Sequence, residues 1–290
     1  MSSNCTKYTL MKLNGRELDL SRPQVMTIVN VTDDSFYEGS RTSGVAEIER
    51  RVASALEQGA AIFDVGGYSS RPGADDIPPE EEWRRVERGL AAVRRIAGDI
   101  PVSVDTFRAE VARRAIESFG ELIINDISAG ELDPEIVDVA ARYDAPYIAM
   151  HMRGTPQTMQ TLAAYERDIV TEVCDYFGRK TEELRARGVN KLILDPGFGF
   201  GKTLEHNYEL MAHLEEFSIF ELPLLVGVSR KSMIYKLLGG TPQDSLNGTT
   251  ILDTVALMKG AHILRVHDVR EAVEAVRIME KIKEESSCSK

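Results

Sequence analysis

The sequence of 290 residues contains few cysteines and no long hydrophobic run. Its three cysteines, Cys5, Cys174 and Cys288, are scattered, and their spacing fits neither a disulfide framework nor a metal-binding motif. No apolar run approaches the ~20 residues that a membrane-spanning helix needs. The N-terminus lacks the basic stretch and apolar core of a secretory signal, so we expect a cytoplasmic protein.

The sequence is also short of positive charge. Its 35 Lys and Arg residues face 46 Asp and Glu residues, which gives a formal net charge of −11. Nonspecific nucleic-acid binding needs a positive surface, so we expect no nucleic-acid partner. Hydrophobic residues make up 43% of the chain and charged residues 28%, a balance that excludes a disordered chain.

Eight short apolar runs alternate with amphipathic stretches along the chain. The runs begin at Val25, Ala61, Pro101, Leu122, Tyr147, Leu192, Leu224 and His262. They are rich in Val, Ile and Leu and lack polar alternation, which is typical of strands buried on both faces of a parallel sheet. Helices are predicted between them at 46–58, 79–97, 108–119, 134–143, 165–187, 204–217 and 269–284, with one or two more within 231–260.

This alternation favours an α/β fold, a single (β/α)₈ TIM barrel with its active site at the C-terminal ends of the strands. An open, doubly wound sheet is the alternative. We expect the barrel to span residues 23–284, with a peripheral N-terminal segment at 1–22 and a flexible tail at 285–290.

Polar residues close nearly every apolar run. They are Asn30, Asp64, Asp105, Asn125 with Asp126, His151, Asp195, Ser229 to Lys231, and Arg265 with His267. Parallel strands bring these ends to one rim, which holds the active site in a barrel. A single Asp after a strand is more often a helix cap or turn former. That reading does not suit Asp105, Asn125 and Asp195, because they adjoin apolar sequence, where a buried carboxylate or amide is costly unless it has a partner.

The rim also gathers basic residues in an otherwise acidic chain. They are Arg71, Lys231, Arg265 and His267. Acidic and basic subsets together suggest a two-part ligand, with N–H donors at one end and an anion such as phosphate at the other. Ion pairing between the two subsets is an equally weighted alternative. The segment DPGFGFGKT, residues 195–203, is not a P-loop, because Gly197 is one residue too close to the Gly-Lys-Thr.

From about Val25 to Glu280 the chain resembles the dihydropteroate synthase family. The matching segments are IVNVTDDSF, DVGGYSSRPGA, SVDT, NDIS, MHMRGTPQTMQ, LDPGFGFGKTLEHNYEL, LPLLVGVSRKSMI and GAHILRVHDV. The resemblance implies a transferase that condenses 6-hydroxymethyl-7,8-dihydropterin diphosphate with p-aminobenzoate. The products would be 7,8-dihydropteroate and diphosphate, in folate biosynthesis. It also implies Mg²⁺ and a homodimer.

The resemblance assigns a role to each matched rim residue. Asn30 is expected to hold the Mg²⁺. The pterin site is expected to comprise Asp105, Asn125, Asp195 and Lys231. The diphosphate site is expected to comprise Ser70, Arg71, Arg265 and His267. The p-aminobenzoate site is expected to comprise Phe36, Phe200 and Ser229. The expected catalytic residues are Asp105, Lys231, Arg265 and His267.

Two segments, 32–41 and 68–74, are expected to form mobile loops that close over the substrates. The sequence departs from the family there, with Asp33 in place of proline, Tyr68 in place of glutamate and Ser70 in place of threonine. Ser70 keeps the hydroxyl. The departures at positions 33 and 68 bear on loop dynamics and on the response to sulfonamides. We predict that Asp33 alters the affinity for p-aminobenzoate or sulfonamides, and unchanged KM and inhibition constants in an Asp33→Pro variant would contradict this.

Two other functions fit part of the pattern. A methyltransferase that uses methyltetrahydrofolate shares the barrel and the pterin-binding Asp/Asn set but needs no diphosphate site. A non-catalytic pterin-binding protein need not keep both substrate sites. The presence of Arg71, Lys231, Arg265 and His267 therefore favours the synthase.

Overall fold

The computed structural model describes residues 10–31, 41–69, 76–159 and 163–288. Its first two strands, β1 (Leu10–Leu13) and β2 (Arg16–Asp19), form an antiparallel hairpin. Asn14 and Gly15 make the turn with φ of 49° and 76°. Such positive φ angles are what a two-residue hairpin turn requires, and Asn-Gly adopts them at little cost.

All eight predicted barrel strands are confirmed. They are β3 (Gln24–Asn30), β4 (Ile62–Gly66), β5 (Val102–Asp105), β6 (Ile123–Asp126), β7 (Tyr147–Met150), β8 (Leu192–Asp195), β9 (Leu225–Val226) and β10 (Ile263–Val266). Strands β3 to β8 pair in parallel in chain order, and β10 lies between β3 and β9. A single parallel bridge, Leu194 to Leu224, joins β8 to β9 and closes the circle. The fold is therefore the predicted barrel rather than an open sheet.

The predicted helices are confirmed too, with shifts at some ends. The helices are α1 (Arg41–Gln58), α2 (Pro79–Ala97), α3 (Ala109–Phe119), α4 (Glu135–Arg142), α5 (Ile169–Ala186), α6 (Leu204–Ala212), α7 (Ser232–Leu238), α8 (Leu246–Met258) and α9 (Val269–Cys288). Two 3₁₀ segments, Leu214–Phe220 and Pro242–Ser245, follow α6 and α7. Within the described ranges, no helix is both long and apolar enough to cross a membrane.

Local side-chain chemistry explains several of these boundaries. Helix α5 begins four residues later than predicted, because the Asp168 side chain accepts a hydrogen bond from Thr171 N at 2.8 Å and caps the helix there. Helix α2 packs closely on β4 because residue 89 is glycine. A Cβ at Gly89 would lie 2.5 Å from Cγ1 of Val65, so a larger residue would push the helix outward.

The hairpin closes the N-terminal end of the barrel. Its buried side chains pack with the first inward-facing residue of several strands. This apolar floor consists of Met11, Leu13, Leu18, Leu20, Met26, Ile62, Ile123, Ile148, Ile193, Leu225 and Ile263. Residues 1–22 were expected to be peripheral, yet they supply four of these buried side chains. At the other end of the chain, α9 runs to Cys288, past the expected limit of the barrel at residue 284.

Candidate active site

A partly buried arginine joins two carboxylates inside the C-terminal end of the barrel. Arg265 on β10 donates from Nε to Asp64 Oδ2 and from Nη2 to Asp105 Oδ2, both at 2.6 Å. Burial opposes its charge, but Asp64 and Asp105 together raise the pKa of Arg265 above its usual range. The ion pairing considered as an alternative for the rim is therefore present between these three side chains.

Asp64 on β4 accepts hydrogen bonds from three side chains. It is fully buried. Besides Arg265, it accepts hydrogen bonds from the Ser103 hydroxyl and from Asn125 Nδ2, the latter at 3.2 Å to each carboxylate oxygen. These donors compensate the cost of burying the charge. Asp64 thus orients side chains from three other strands, β5, β6 and β10.

Asp105, at the end of β5, is poised to titrate near neutral pH. Burial raises the pKa of its carboxyl to about 7, although Arg265 lowers it. The negative charges of Asp64, Glu82 and Asp126 raise it further. Perturbed carboxyls of this kind are concentrated at functional sites.

Lys231 and Asp195 are opposite charges beside this network, and each affects the pKa of the other. Asp195 Oδ1 accepts a hydrogen bond from Gly197 N at 2.8 Å, and burial raises the pKa of the carboxyl while Lys231 lowers it. Lys231 Nζ donates to Phe198 O at 2.5 Å and lies 4.8 Å from the centroid of the Phe200 ring. Burial lowers the pKa of Lys231 to about 8, against the opposing effect of Asp195.

The ends of β9 and β10 are joined through Ser229 and His267. His267 N donates to Ser229 Oγ at 3.1 Å, and the same oxygen lies 3.1 Å from His267 Nδ1. Between these strands, Arg230 binds both carboxylate oxygens of Asp268 at 2.9 and 2.7 Å. Arg230 therefore has a structural partner, whereas Ser229 and His267 lie together at the rim.

Two other polar rim residues serve the scaffold. The Asp126 carboxylate accepts hydrogen bonds from Ser128 N at 2.8 Å, Gly130 N at 2.7 Å and the Tyr147 hydroxyl at 2.6 Å. Lys202, from the segment that resembles a P-loop, is buried and donates to backbone carbonyls and to His151. Both side chains satisfy local backbone groups.

Comparison with known proteins shows the family to which this barrel belongs. The sequence profile described as "Pterin binding enzyme" matches residues 26–267. The dihydropteroate synthase of Escherichia coli strain K12 is 46% identical over 276 residues, which cover 93% of this chain and 96% of that protein. The chain belongs to the pterin-binding enzyme family. The dihydropteroate synthase of Haemophilus influenzae is 40% identical to the chain and covers 92% of this chain and 98% of its own.

Solved structures of pterin-binding enzymes superpose on the chain. A Yersinia pestis dihydropteroate synthase in complex with a sulfonamide drug has a TM-score of 0.87 at 42% identity and covers 95% of this chain and 99% of its own. The Xanthomonas albilineans enzyme with 4-aminobenzoic acid has a TM-score of 0.87 at 36% identity, covering 96% of this chain and 99% of its own. The same enzyme with 7,8-dihydropteroate has a TM-score of 0.84, covering 94% and 98%.

The predicted site residues of this pterin-binding enzyme fall at one end of the barrel wherever the structure describes them. Those residues are Asn30, Asp105, Asn125, Asp195, Phe200, Ser229, Lys231, Arg265 and His267. Asn30 pairs in register with Gly66, whose other neighbour in the sheet is Asp105. Phe36, Ser70 and Arg71 lie outside the described residues, as does Asp33.

Tyr68, one departure from the family pattern, contacts neighbouring connections. Its ring meets the Phe107 ring edge to face at 5.2 Å between centroids, and the Arg108 guanidinium lies 5.4 Å from its centroid. Its hydroxyl accepts a hydrogen bond from Gln157 Nε2 at 3.1 Å. Tyr68 therefore links the segment after β4 to the segments after β5 and β7.

Sequence reasoning noted Asp64 as a polar strand end but gave it no role in the site. The available signal was its position within the apolar run AIFDVGG, where an unpaired carboxylate would be costly. Its partners are 39, 61 and 201 residues away in the chain. No local pattern names such partners.

Proposed function

We propose that the polar end of this barrel carries out the dihydropteroate synthase reaction. The chain condenses (7,8-dihydropterin-6-yl)methyl diphosphate with 4-aminobenzoate to give 7,8-dihydropteroate and diphosphate. The observation that carries this proposal is the partly buried Arg265, held by Asp64 and Asp105 at the same end of the barrel as Asn125, Asp195 and Lys231. This set offers acceptors to a pterin and cations to a diphosphate.

The pterin end of the substrate fits the acidic part of the site. A pterin presents amino and ring N–H groups on one edge, and Asp105, Asn125 and Asp195 offer oxygen acceptors from β5, β6 and β8. Lys231, whose ammonium is already next to the Phe200 ring, would contact the pterin from the β9 side. Buried acceptors reject a ligand that lacks the matching donors, because the acceptors would then stay unpaired.

The diphosphate fits the basic part. Arg265 has more N–H donors than the contacts with Asp64 and Asp105 occupy, so it can also bind a phosphate oxygen. His267 at the end of β10 would add a second donor. Ser70 and Arg71 would complete this subsite from the segment after β4. The 4-aminobenzoate would lie against Phe200 and Ser229, with Phe36 covering it.

A Mg²⁺ ion would bind the diphosphate at Asn30. The amide oxygen of Asn30 is a suitable ligand, and its register neighbour Gly66 leads directly to Asp105 in the sheet. The described residues contain no group of three or more His, Cys, Asp or Glu side chains able to hold a metal. Mg²⁺ commonly takes few protein ligands and completes its shell with phosphate oxygens and water. When bound, the ion neutralises diphosphate charge.

The reaction needs no covalent intermediate with the enzyme. The bond between the pterin methylene carbon and the diphosphate oxygen breaks, and its electron pair leaves with the diphosphate. Arg265 and His267 stabilise that developing charge. The lone pair of the 4-aminobenzoate nitrogen then forms the new C–N bond, and the nitrogen loses a proton to water. The ionised Asp105 stabilises the cationic pterin between the two steps.

A direct assay tests this function. The protein is mixed with Mg²⁺, the pterin diphosphate and 4-aminobenzoate, and diphosphate release is measured. We expect release that depends on both substrates and falls by on the order of 100-fold or more in Lys231→Ala and Arg265→Ala variants. No release above these controls would reject the synthase and leave the methyltransferase or the non-catalytic protein. Omitting Mg²⁺, or replacing Asn30 with Ala, tests the metal proposal by weaker pterin diphosphate binding in calorimetry.

A homodimer in the cytoplasm completes the proposal. Large apolar side chains are exposed on α7 and α8: Leu237 (56%), Leu238 (63%), Ile251 (53%) and Met258 (68%). Ile251 and Met258 are seven residues apart, so they share one side of α8. Exposed apolar patches of this kind are typical of protein interfaces. Sedimentation should give about twice the chain mass of 32.2 kDa, and cell fractionation tests the location.

A further inference from the structure

A buried lysine that the reaction does not use connects two turns at the polar end of the barrel. Lys202 is 8% exposed. Its ammonium shares three N–H donors among four acceptors: His151 Nδ1 at 2.9 Å, His151 O at 3.2 Å, Gly197 O at 2.9 Å and Phe200 O at 3.1 Å. His151 belongs to the segment after β7, and Gly197 and Phe200 belong to the segment after β8. The single ammonium therefore ties two neighbouring turns together.

Burial makes the charged form of Lys202 less favourable. Burial lowers the pKa of its ammonium to about 7, with Lys231 contributing in the same direction and Asp195 opposing. A buried charge is stable only where its hydrogen bonds compensate the lost hydration. Here three of the four acceptors are main-chain carbonyls, so the ammonium stabilises one backbone conformation.

The turn between β8 and α6 has a conformationally permissive backbone, because it contains three glycines. Gly197, Gly199 and Gly201 have φ of 70°, 83° and 61°. A Cβ at Gly197 would lie 2.0 Å from His151 O, so the two turns approach more closely than any larger residue allows. Alternating glycines lose much conformational entropy on folding. The turn consequently needs contacts from outside to stay in one conformation.

The same turn faces the substrates through Lys231. The Phe198 carbonyl accepts from Lys231 Nζ at 2.5 Å, and the Phe200 ring lies against that ammonium. Gly197 O, one residue earlier, and Phe200 O, two residues later, accept from Lys202. Carbonyls of this one turn thus accept from a lysine in the site and from a second lysine behind it.

We propose that Lys202 is a positioning residue, which fixes the β8–α6 turn so that Phe198 O and the Phe200 ring hold Lys231 and receive 4-aminobenzoate. This proposal rests on the proposed function, since it assigns Phe200 and Lys231 to the two substrates. Lys202 itself touches neither substrate. It acts through the backbone that carries the binding groups.

The test is a Lys202→Met variant, which keeps the length of the side chain and removes its donors. Lys180→Met is the matched control, because Lys180 is also 8% exposed. It lies on α5, where its ammonium pairs with Glu183 at 2.9 Å and Glu131 at 3.8 Å rather than with the turn. Each variant is assayed for KM of both substrates, kcat, thermal stability and hydrogen exchange of residues 197–201.

For Lys202→Met we expect the KM for 4-aminobenzoate to rise about tenfold, which corresponds to about 1.4 kcal/mol. Exchange at residues 197–201 should be faster by about the same factor. Lys180→Met should change KM and this exchange less than about twofold, even where its stability falls equally. A Lys202→Met variant with wild-type KM and wild-type exchange would overturn the proposal, and so would equal KM changes in both variants.

Two further measurements separate other causes of failure. If Lys202→Met does not fold, hydrogen exchange of the wild-type chain tests the proposal instead. We expect residues 197–201 to be protected from exchange without substrates. Exchange as fast as in an unstructured peptide would overturn the proposal. Exchange does not depend on turnover. A wild-type chain that releases no diphosphate but protects this turn would therefore reject the synthase function while the role of Lys202 in fixing the turn stands.

Discussion

The two ends of the barrel interior differ in chemistry over a distance of two residues. Ile62, Ile123, Ile193 and Ile263 belong to the apolar floor. Two positions later on the same strands come Asp64, Asn125, Asp195 and Arg265. Side chains two apart in a strand point to the same side, and two residues span ~6.6 Å. The same strands therefore build a dry floor and, one layer higher, a charged site.

The two layers are held together by different forces. The floor is stabilised by burial of apolar surface, which is insensitive to direction. The charged layer is stabilised by hydrogen bonds of defined geometry, and breaking one contact leaves a buried charge without its partner. Substitutions in the floor should thus affect stability alone, and substitutions in the charged layer should affect stability and activity together.

Replacing Asp64 with Asn should have the largest effect. The change removes the charge that Arg265, Ser103 and Asn125 share. We expect a loss of about 3–5 kcal/mol in the free energy of unfolding, and a fall in kcat on the order of 100-fold. Urea denaturation and the diphosphate assay measure both effects.

Asp253→Asn is the control for that variant. Asp253 is equally buried on α8, and burial raises the pKa of its carboxyl to about 8, with Asp268 contributing. Its Oδ1 has no hydrogen-bond partner among the described residues. It is therefore mostly neutral at pH 7, and the amide should be tolerated without loss of activity. Equal losses of stability and activity in Asp64→Asn and Asp253→Asn would contradict the special importance of charge pairing at the polar end of the barrel.

In the floor, Leu13→Ala should reduce stability without changing the chemistry. Leu13 on the hairpin is 1% exposed, and truncation of such a side chain costs about 2–5 kcal/mol. The kcat of the folded fraction should stay at the wild-type value. Leu10→Ala, on the same strand but 57% exposed, should change stability by less than about 0.5 kcal/mol. A reduced kcat in Leu13→Ala would show that the two layers are coupled.

The charged layer should also give the enzyme a narrow pH optimum. Asp105 must lose its proton to accept from the pterin, so kcat/KM should rise through about pH 7, the value to which burial raises its pKa. Lys231 loses its charge above about pH 8, the value to which burial lowers its pKa, so kcat/KM should fall there. Asp105→Asn should remove the acid limb, and a wild-type profile that is flat across this range would contradict the assignment.

The smallest effect is expected at the outer edge of the polar end. Tyr68→Phe removes only the hydroxyl that accepts from Gln157 and keeps the ring against Phe107. A partly exposed hydrogen bond of this kind contributes about 1 kcal/mol, so the KM for the pterin diphosphate should rise about fivefold or less. The control is Tyr235→Phe on α7. An unchanged KM in Tyr68→Phe would mean that the Tyr68 hydroxyl does not contribute to substrate binding and that the site lies within the barrel interior.

Much of the fold followed from local sequence signals. Helix α2 begins and ends at the predicted residues, Pro79 and Ala97, because a proline with three glutamates marks its start and Gly98 its end. The helix predicted at 204–217 instead ends at Ala212 and continues as a 3₁₀ segment. The hairpin lies in the segment expected to be peripheral, although Asn14-Gly15 between apolar positions is a strong hairpin signal.

The candidate site was only partly predictable, for a physical reason. Polar strand ends identified Asp105, Asn125 and Asp195, since the strand direction alone brings them to one rim. The roles of Asp64 and Lys202 depend on partners that approach only when the barrel closes. A sequence pattern contains the residue type but not the distance to such a partner.

The closure of the barrel has a mechanical consequence. Strands β3 and β4 pair over five residues, whereas β8 and β9 meet through the single bridge from Leu194 to Leu224. A closed barrel in which one pair of strands has few hydrogen bonds should open first between those two strands when it is heated. The Leu194 amide, bonded to Pro223 O at 2.9 Å, should therefore exchange with solvent before the amides of β4. Local opening would separate the Asp195 side of the rim from the Ser229 side and leave the Asp64–Arg265 side intact.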